Sequence, residues 1–229
     1  MNQPFPRRAT RDDIPFLAWC NQAATSPEPK FCYWDPLVQP TGTATVTFLE
    51  ALFRHDALAW GRVEEFFILE HAGKAIAGAS AFTMDTGDYR PLRLERLSAV
   101  ASDLGWSAQT LRDFQAAYEQ VWSDPHDPTL APQAPWIIEC VAVIPEARGQ
   151  GMTRRLFETL FDDGRRLGHE AVGISVTTGN APAERAYEAI GFELYVEYGS
   201  AYFHHTFPGT RKYIFELNGL EPNRKEVTS

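Results

Sequence analysis

The stretch VAVIPEARGQGMTRRLFETL, residues 141 to 160, carries an apolar β-type segment into an amphipathic helix through a turn holding Gly149 and Gly151. Such a strand–turn–helix unit, repeated as strands alternate with helices through the second half after an antiparallel hairpin, implies a mixed α/β sheet. The turn, Arg148-Gly149-Gln150-Gly151, contains no acidic residue and is flanked by Arg148, Arg154 and Arg155. A helix start leaves backbone N–H groups without intrahelical partners and carries partial positive charge. Glycines let a ligand approach that backbone without interference from a Cβ, so the junction suits a phosphate or pyrophosphate. A turn with a purely structural purpose is the competing reading.

Two other phosphate motifs are excluded. A dinucleotide fingerprint needs a third glycine at position 154, which is Arg, and the acidic Glu170 stands before the next strand instead of at its end. A P-loop needs G-x-x-x-x-G-K-[ST], which is absent from the chain.

Around this junction the pattern is that of a mixed sheet. Thr10 is placed to cap a helix beginning at Arg11-Asp12-Asp13, with Ile14, Leu17 and Ala18 on its apolar stripe. A second helix is predicted over roughly 44–58. Residues 66–70 and 75–82 read as a hairpin around His71-Ala72-Gly73-Lys74. Strands are predicted at 136–143, 171–177, 192–198 and 211–217, and helices at 152–167 and 182–190. Residues 84–135 interrupt this rhythm with a helix pattern at 108–122 and the Pro-rich run DPHDPTLAPQAP.

Thirty acidic against twenty-one basic residues give a formal net charge of −9, without the basic footprint of a nucleic-acid binder. Three cysteines (Cys20, Cys32, Cys140) without C-x-x-C spacing suggest neither a disulfide framework nor a zinc site. No apolar run approaches the ~18 residues of a membrane span, and the N-terminal residues lack the apolar region of a signal peptide. A cytoplasmic protein with no membrane and no nucleic-acid partner is therefore expected. The adjacent His204 and His205 point to opposite sides of an extended chain and fit a shared metal poorly, so no metal is expected. Their loop either lines a pocket or caps the sheet. Neither G-x-S-x-G nor H-E-x-x-H occurs, which leaves hydrolase and metalloprotease readings without support.

A second segment, NAPAERAYEAIGF (180–192), follows the next strand. Taken in order, the two segments resemble the GNAT superfamily of acetyl-CoA-dependent N-acetyltransferases. The family's [QR]-x-x-G-x-[GA] loop matches Arg148-Gly149-Gln150-Gly151-Met152-Thr153, and its Asn-x-x-Ala…Tyr-x-x-x-Gly-Phe segment matches Asn180, Ala183, Tyr187, Gly191 and Phe192. Thr153 departs from the pattern, which prefers Gly or Ala there. The resemblance implies an α/β (α+β mixed sheet) GNAT-type acyltransferase fold. On this reading residues 1–229 form one domain, with a core of about 5–83 and 136–218. Residues 84–135 are then inserted between the third and fourth strands, and 219–229 form a short polar tail.

The resemblance also implies roles. Acetyl-CoA would be the acyl donor, held by Val141 and Val143 of a splayed strand, by Arg148, Gly149, Gln150, Gly151, Met152, Thr153 and Arg154, and by Asn180. Tyr187 matches the position of a phenol that protonates the departing thiolate, and a phenol with an ordinary pKa of ~10 stays protonated at neutral pH. Without the resemblance, Tyr187 is an aromatic on the buried face of a short helix, and Asn180 a turn residue before Pro182. Glu139 interrupts WIIECVAV, and strict alternation places it on the face of Ile137, Val141 and Val143. A carboxylate among apolar neighbours should have a raised pKa, as a general base requires, and an ion pair with a neighbouring Arg is the structural alternative.

The implied reaction is direct attack of a primary amine, from a small molecule or peptide, on acetyl-CoA. A non-catalytic acyl-CoA-binding or sensor module is the alternative, and monomer and homodimer both remain open. Phe31, Tyr33 and Trp34 are candidate acceptor-binding residues, facing an insertion that packs over the domain and shapes the acceptor pocket. A purely structural cover, or a dimer contact, is the alternative role for that insertion.

Overall fold

The structure, a computed structural model, describes residues 3–26 and 32–218. The chain opens with strand β1 (Phe5–Arg8), where the sequence pattern gave no strand. A proline at position 6 and two adjacent arginines hide the alternation. Proline is tolerated because β1 is an edge strand, pairing among the described residues with β2 alone (Phe66–His71), with Phe5 opposite Glu70 and Arg8 opposite Phe67. Arg7 on β1 bridges Asp13 and Glu70 at 2.8 and 2.7 Å.

Between these strands lie α1 (Ile14–Ala24), α2 (Asp35–Val38) and α3 (Thr45–Arg54). The turn before α1 is a short 3-10 segment, Arg11–Asp13. Its Thr10 donates both its N–H and its hydroxyl to the Asp13 carboxylate, at 2.8 and 3.1 Å. β3 (Lys74–Phe82) completes the hairpin, followed by α4 (Leu97–Asp103), α5 (Ala108–Val121) and β4 (Trp136–Val143). The second half runs α6 (Met152–Arg166), β5 (Ala171–Thr177), α7 (Ala181–Ile190), β6 (Glu193–Gly199) and β7 (Gly209–Glu216). Among the described residues the strands form one mixed sheet in the order β1-β2-β3-β4-β5-β7-β6, in which only β4 and β5 are parallel.

Each sheet face has its own core. On one, α6 packs Leu156, Phe157 and Leu160 against Trp136, Ile138, Val172 and Ile174. On the other, α1, α3 and α5 bury Leu17, Phe48, Leu52, Phe114 and Tyr118 together with Trp34. Leu92, Leu97, Val100, Phe114 and Tyr118 thus bring the first two thirds of the 84–135 segment, roughly, into this second core. Phe114 lies 5.2 Å from Phe48, ring to ring, and the Leu92 N–H donates to the Tyr118 hydroxyl at 3.0 Å.

β4 is irregular at its centre. Ser80 pairs with Glu139 and Gly78 with Ala142, so two residue steps on β3 face three on β4. The extra residue is a β-bulge, and Cys140 takes the left-handed conformation (φ 58°) that a non-glycine residue adopts at a cost. The bulge corrects the expected alternation. Glu139 does not share a face with Val141 and Val143, because the bulge shifts the parity of the strand. Val141 and Val143 pack on the α6 side with Trp136 and Ile138, whereas Cys140 and Ala142 join the α1 side.

Candidate active site

β4 and β5 pair only through Trp136–Ile138 opposite Val172–Ile174. Beyond Ile138 the strands part. The backbone of β4 from Glu139 onward and of β5 from Ser175 onward flanks a cleft continuous with a cavity of about 1150 Å³. Glu139, Val141, Asn180, Ala183 and Tyr187 all line it.

The glycine junction follows the end of β4 after one short turn, and neither it nor Val143 is among the residues that line this cavity. Gly149 (φ 72°) and Gly151 (φ 76°) both adopt left-handed backbone, and a Cβ at either would meet nothing within 4 Å. Glycine is needed here for its backbone conformation, and the space beside it is open to a ligand. Gly151 caps α6, whose first intrahelical bond runs from the Arg155 N–H to the Gly151 carbonyl at 3.1 Å. The N–H groups of the preceding turn therefore have no partner within the helix, as an anion site requires. The side chains of this segment are partly committed to the protein. Arg148 Nε donates to the Val143 carbonyl at 3.0 Å, Gln150 to the Glu146 carbonyl at 2.8 Å, and Arg154 to the Ala189 carbonyl at 2.8 Å. The bond from Arg148 ties the loop to the last residue of β4. Met152 and Thr153 begin the helix, with Met152 packed against the α6-side core.

Asn180 is the N-cap of α7, its side-chain oxygen accepting the Ala183 N–H at 3.3 Å. On the same helix Tyr187 is only 7% exposed, with its ring edge-on to Phe157 at 5.8 Å. Burial, reinforced by the charge of Glu139, holds its phenol well above the ordinary value, so it remains protonated at any physiological pH. Burial acts on Glu139 in the same sense, pushing its pKa up from 4.5 to about 7, against the opposing pull of Lys212. Its backbone carbonyl accepts a hydrogen bond from Ser80 Oγ at 3.2 Å. A carboxyl group poised near neutrality and a protonated phenol thus share one cleft.

The rest of the cavity is built from three separate stretches. Tyr33 and Trp34 form one wall, where Trp34 Nε1 is already engaged with Asn21 Oδ1 at 2.9 Å. Phe31 lies outside the described residues. The wall continues into residues of 120–133, where Trp122 packs on both Tyr33 and Trp34 instead of facing them and Asp124, Asp127 and Gln133 also line the cavity. Gln133 fills the space over Gly173, where any side chain would collide with it, and donates to the carbonyls of Ile174 and Tyr213 at 2.9 and 3.1 Å. The loop after β6 supplies Tyr202, Phe203 and His204, and the Tyr202 hydroxyl donates to Asp127 Oδ1 at 3.2 Å, which links this loop to the 120–133 run. His204 lines the cavity, and His205 contacts Ser200 at 3.4 Å. Among the described residues no group of three or more His, Cys, Asp or Glu side chains is arranged to hold a metal. No helix among them is long and apolar enough to cross a membrane.

Lys212 is the site residue that sequence reasoning missed. It lies on β7, lines the cavity and is 3% exposed, with Nζ donating to the Ala131 carbonyl. The only signal was a lysine inside the β-type run TRKYIFE, a pattern that edge strands show routinely.

Comparison with known proteins bears on this arrangement. The model of the acetyltransferase (GNAT) family matches residues 108–192, a span that holds α5, β4, the glycine junction, α6, β5 and α7. No curated protein matches the chain. Among solved structures, SsHAT superposes with a TM-score of 0.59 at 18% identity, covering 94% of this chain and 99% of its own. The ribosomal-protein-S18-alanine N-acetyltransferase of Escherichia coli gives 0.50 at 15% identity, over 96% and 98%. The Salmonella typhimurium protein yncA, solved with its cofactor acetyl-CoA, gives 0.51 at 15% identity, over 96% and 97%. At these identities the likeness is one of fold.

Proposed function

We propose, for a chain that carries the acetyltransferase domain of the GNAT family and is by that domain an acyltransferase, that it transfers acetyl from acetyl-CoA to a primary amine. The observation that carries this reading is the convergence of Glu139 and Tyr187 on one cleft, where β4 leaves β5 and the glycine junction stands at the end of the parted strand. The donor fits the residues present. The Gly149–Gly151 junction and the first turn of α6 offer left-handed glycines, open space and backbone N–H groups to a pyrophosphate. The end of β4 around Val141 and Val143, still paired with β3 but free of β5, offers backbone partners to an extended arm, and Asn180 on the same cavity offers an amide. When bound there, acetyl-CoA supplies the activated acetyl thioester.

The protein's own contribution is placement and proton traffic. The cavity walls hold the acceptor amine against β4. Glu139, with a pKa near 7, takes the proton that the amine must lose to act as a nucleophile. Tyr187 keeps its proton until a thiolate develops beside it and then donates. Attack is direct, so no residue of the chain carries the acetyl group. The amine reaches the site through the cavity bounded by Tyr33, Trp34 and residues 120–133.

The deciding experiment is release of free thiol from acetyl-CoA across a panel of small amines and peptides. Turnover with any class of amine supports the reading. Stoichiometric CoA binding with no thiol release over the whole panel overturns it in favour of a binding module.

A further inference from the structure

Lys212 is a buried cation whose one hydrogen bond goes to a neutral backbone carbonyl, that of Ala131. Burial of an ammonium group is costly, and lysine is seldom fully buried without a counter-charge. The carboxylates that act on it are Glu139 and Asp127, and both line the same cavity. Neither lies within ion-pair distance of Nζ, since the ion pairs among the described residues do not include Lys212. The register sets Lys212 opposite Ser175, one step beyond the last β4–β5 pair of Ile138 and Ile174, so it lines the same cavity as Glu139 from a fixed point, with its ammonium anchored by the 120–133 run and its backbone by β7.

We infer that Lys212 is a positioning residue for the proposed reaction, a fixed counter-charge that keeps the Glu139 carboxylate in its basic form. The inference rests on Glu139 acting as the base. The other groups that bear on Glu139 cannot do this. Tyr187 on α7, Cys140 on β4 and Tyr33 before α2 are all held in their neutral protonated forms by burial. Among the described residues, Lys212 supplies the charge of opposite sign. Removing that charge leaves only burial acting on the carboxyl, so its ionisation moves to higher pH. The dependence is mutual, because the Glu139 charge opposes the burial that brings Lys212 down to about 8. Above that pH the ammonium is progressively lost, and the effect of Lys212 fades.

The test compares Lys212→Gln, which removes the charge but retains a donor for the Ala131 carbonyl, with Lys212→Arg, which retains the charge. Each is assayed for kcat against pH at saturating acceptor, with Glu139→Gln as reference. A readout independent of turnover is the infrared carboxyl band of Glu139, identified by its loss in Glu139→Gln. In Lys212→Gln the acidic limb and the carboxyl titration should both move up by about one pH unit or more, the lower end of what an opposing charge produces. Activity at pH 6.5 should then fall roughly tenfold, and should converge on wild type above pH 8.5. Lys212→Arg should keep both midpoints near wild type. A Lys212→Gln protein that loses activity equally at all pH values, with an unmoved carboxyl titration, overturns the inference and makes Lys212 structural. An acidic limb that survives unchanged in Glu139→Gln overturns instead the assignment of Glu139 as the base.

Discussion

Asn21 of α1 donates its side-chain amide to Cys140 Sγ at 3.3 Å and accepts the Trp34 indole N–H at 2.9 Å. One buried amide thus joins the bulge of β4 to the aromatic wall of the cavity. Asn21→Ala leaves the indole N–H of a fully buried tryptophan without its partner. A loss of about 1–3 kcal/mol is expected, the cost of an unsatisfied buried donor. Urea titration measures it, and a variant as stable as wild type would show that the amide contributes no net stabilisation.

At the glycine junction, Gly151→Asp should nearly abolish acetyl-CoA binding. The left-handed backbone disfavours any side chain there, and a carboxylate would stand where an anion is proposed to bind. Arg148→Ala should weaken binding less, since its guanidinium is engaged with the Val143 carbonyl and the backbone donors persist. Calorimetric titration distinguishes the two. Equal affinity in wild type and Gly151→Asp would move the donor site elsewhere.

Tyr187→Phe should lower kcat by roughly 10²-fold, with little change in acetyl-CoA affinity, as expected for loss of a general acid. Unchanged kcat across pH would remove Tyr187 from the proton path.

For Glu139 the sign of the pH effect on stability can be worked out. Its folded-state pKa, about 7, lies above the ordinary 4.5, so between these values the unfolded chain loses a proton that the folded chain keeps. The group is neutral to stability below about 4.5 and increasingly destabilising as pH rises toward 7. Glu139→Gln removes this penalty. Its Tm should therefore exceed that of wild type by more at pH 8 than at pH 5, as followed by differential scanning calorimetry. A Tm difference independent of pH would contradict the raised pKa.

An aromatic residue in the middle of α5 and another just past its end should behave differently. Phe114→Ala creates a void in a core shared with Phe48 and Trp106, and a loss of about 3–5 kcal/mol is expected. Trp122 lies at the cavity wall, 6.1 Å from Tyr33 and 5.7 Å from Trp34 between ring centroids. Trp122→Ala should raise acceptor KM by about tenfold, within the range for one apolar pocket contact, while acetyl-CoA affinity is retained. An unchanged acceptor profile would make the 120–133 run a cover and not a pocket wall.

The glycine junction was legible because its signal is local: a β-type run, G-x-G and an amphipathic helix are contiguous in the chain. The same holds for β4, β5, α6 and α7, whose periodicity survives in short windows. The bulge at Cys140 was not legible, because it exists only in the register of β4 against Gly78 and Ser80, sixty residues earlier. β1 was hidden by Pro6, which only an edge position tolerates. Lys212 was missed for a related reason. Its burial depends on Ala131, which β7 meets only after the 120–133 run has crossed the cavity.

The double commitment of α5 has a consequence for how such a chain can diversify. Phe114 and Tyr118 hold the N-terminal helices together, while Trp122, Asp124, Asp127 and Gln133 line the cavity proposed to take the acceptor. Selection for a new amine therefore meets two regimes within about fifteen residues of one another. Substitutions in the helix are filtered by folding before they can be tried on a substrate. Those at the positions of the irregular run beyond it that do not brace the fold, as Asp127 and Gln133 do, meet fewer such constraints. Acceptor preference should drift through that run while the helix behind it stands still.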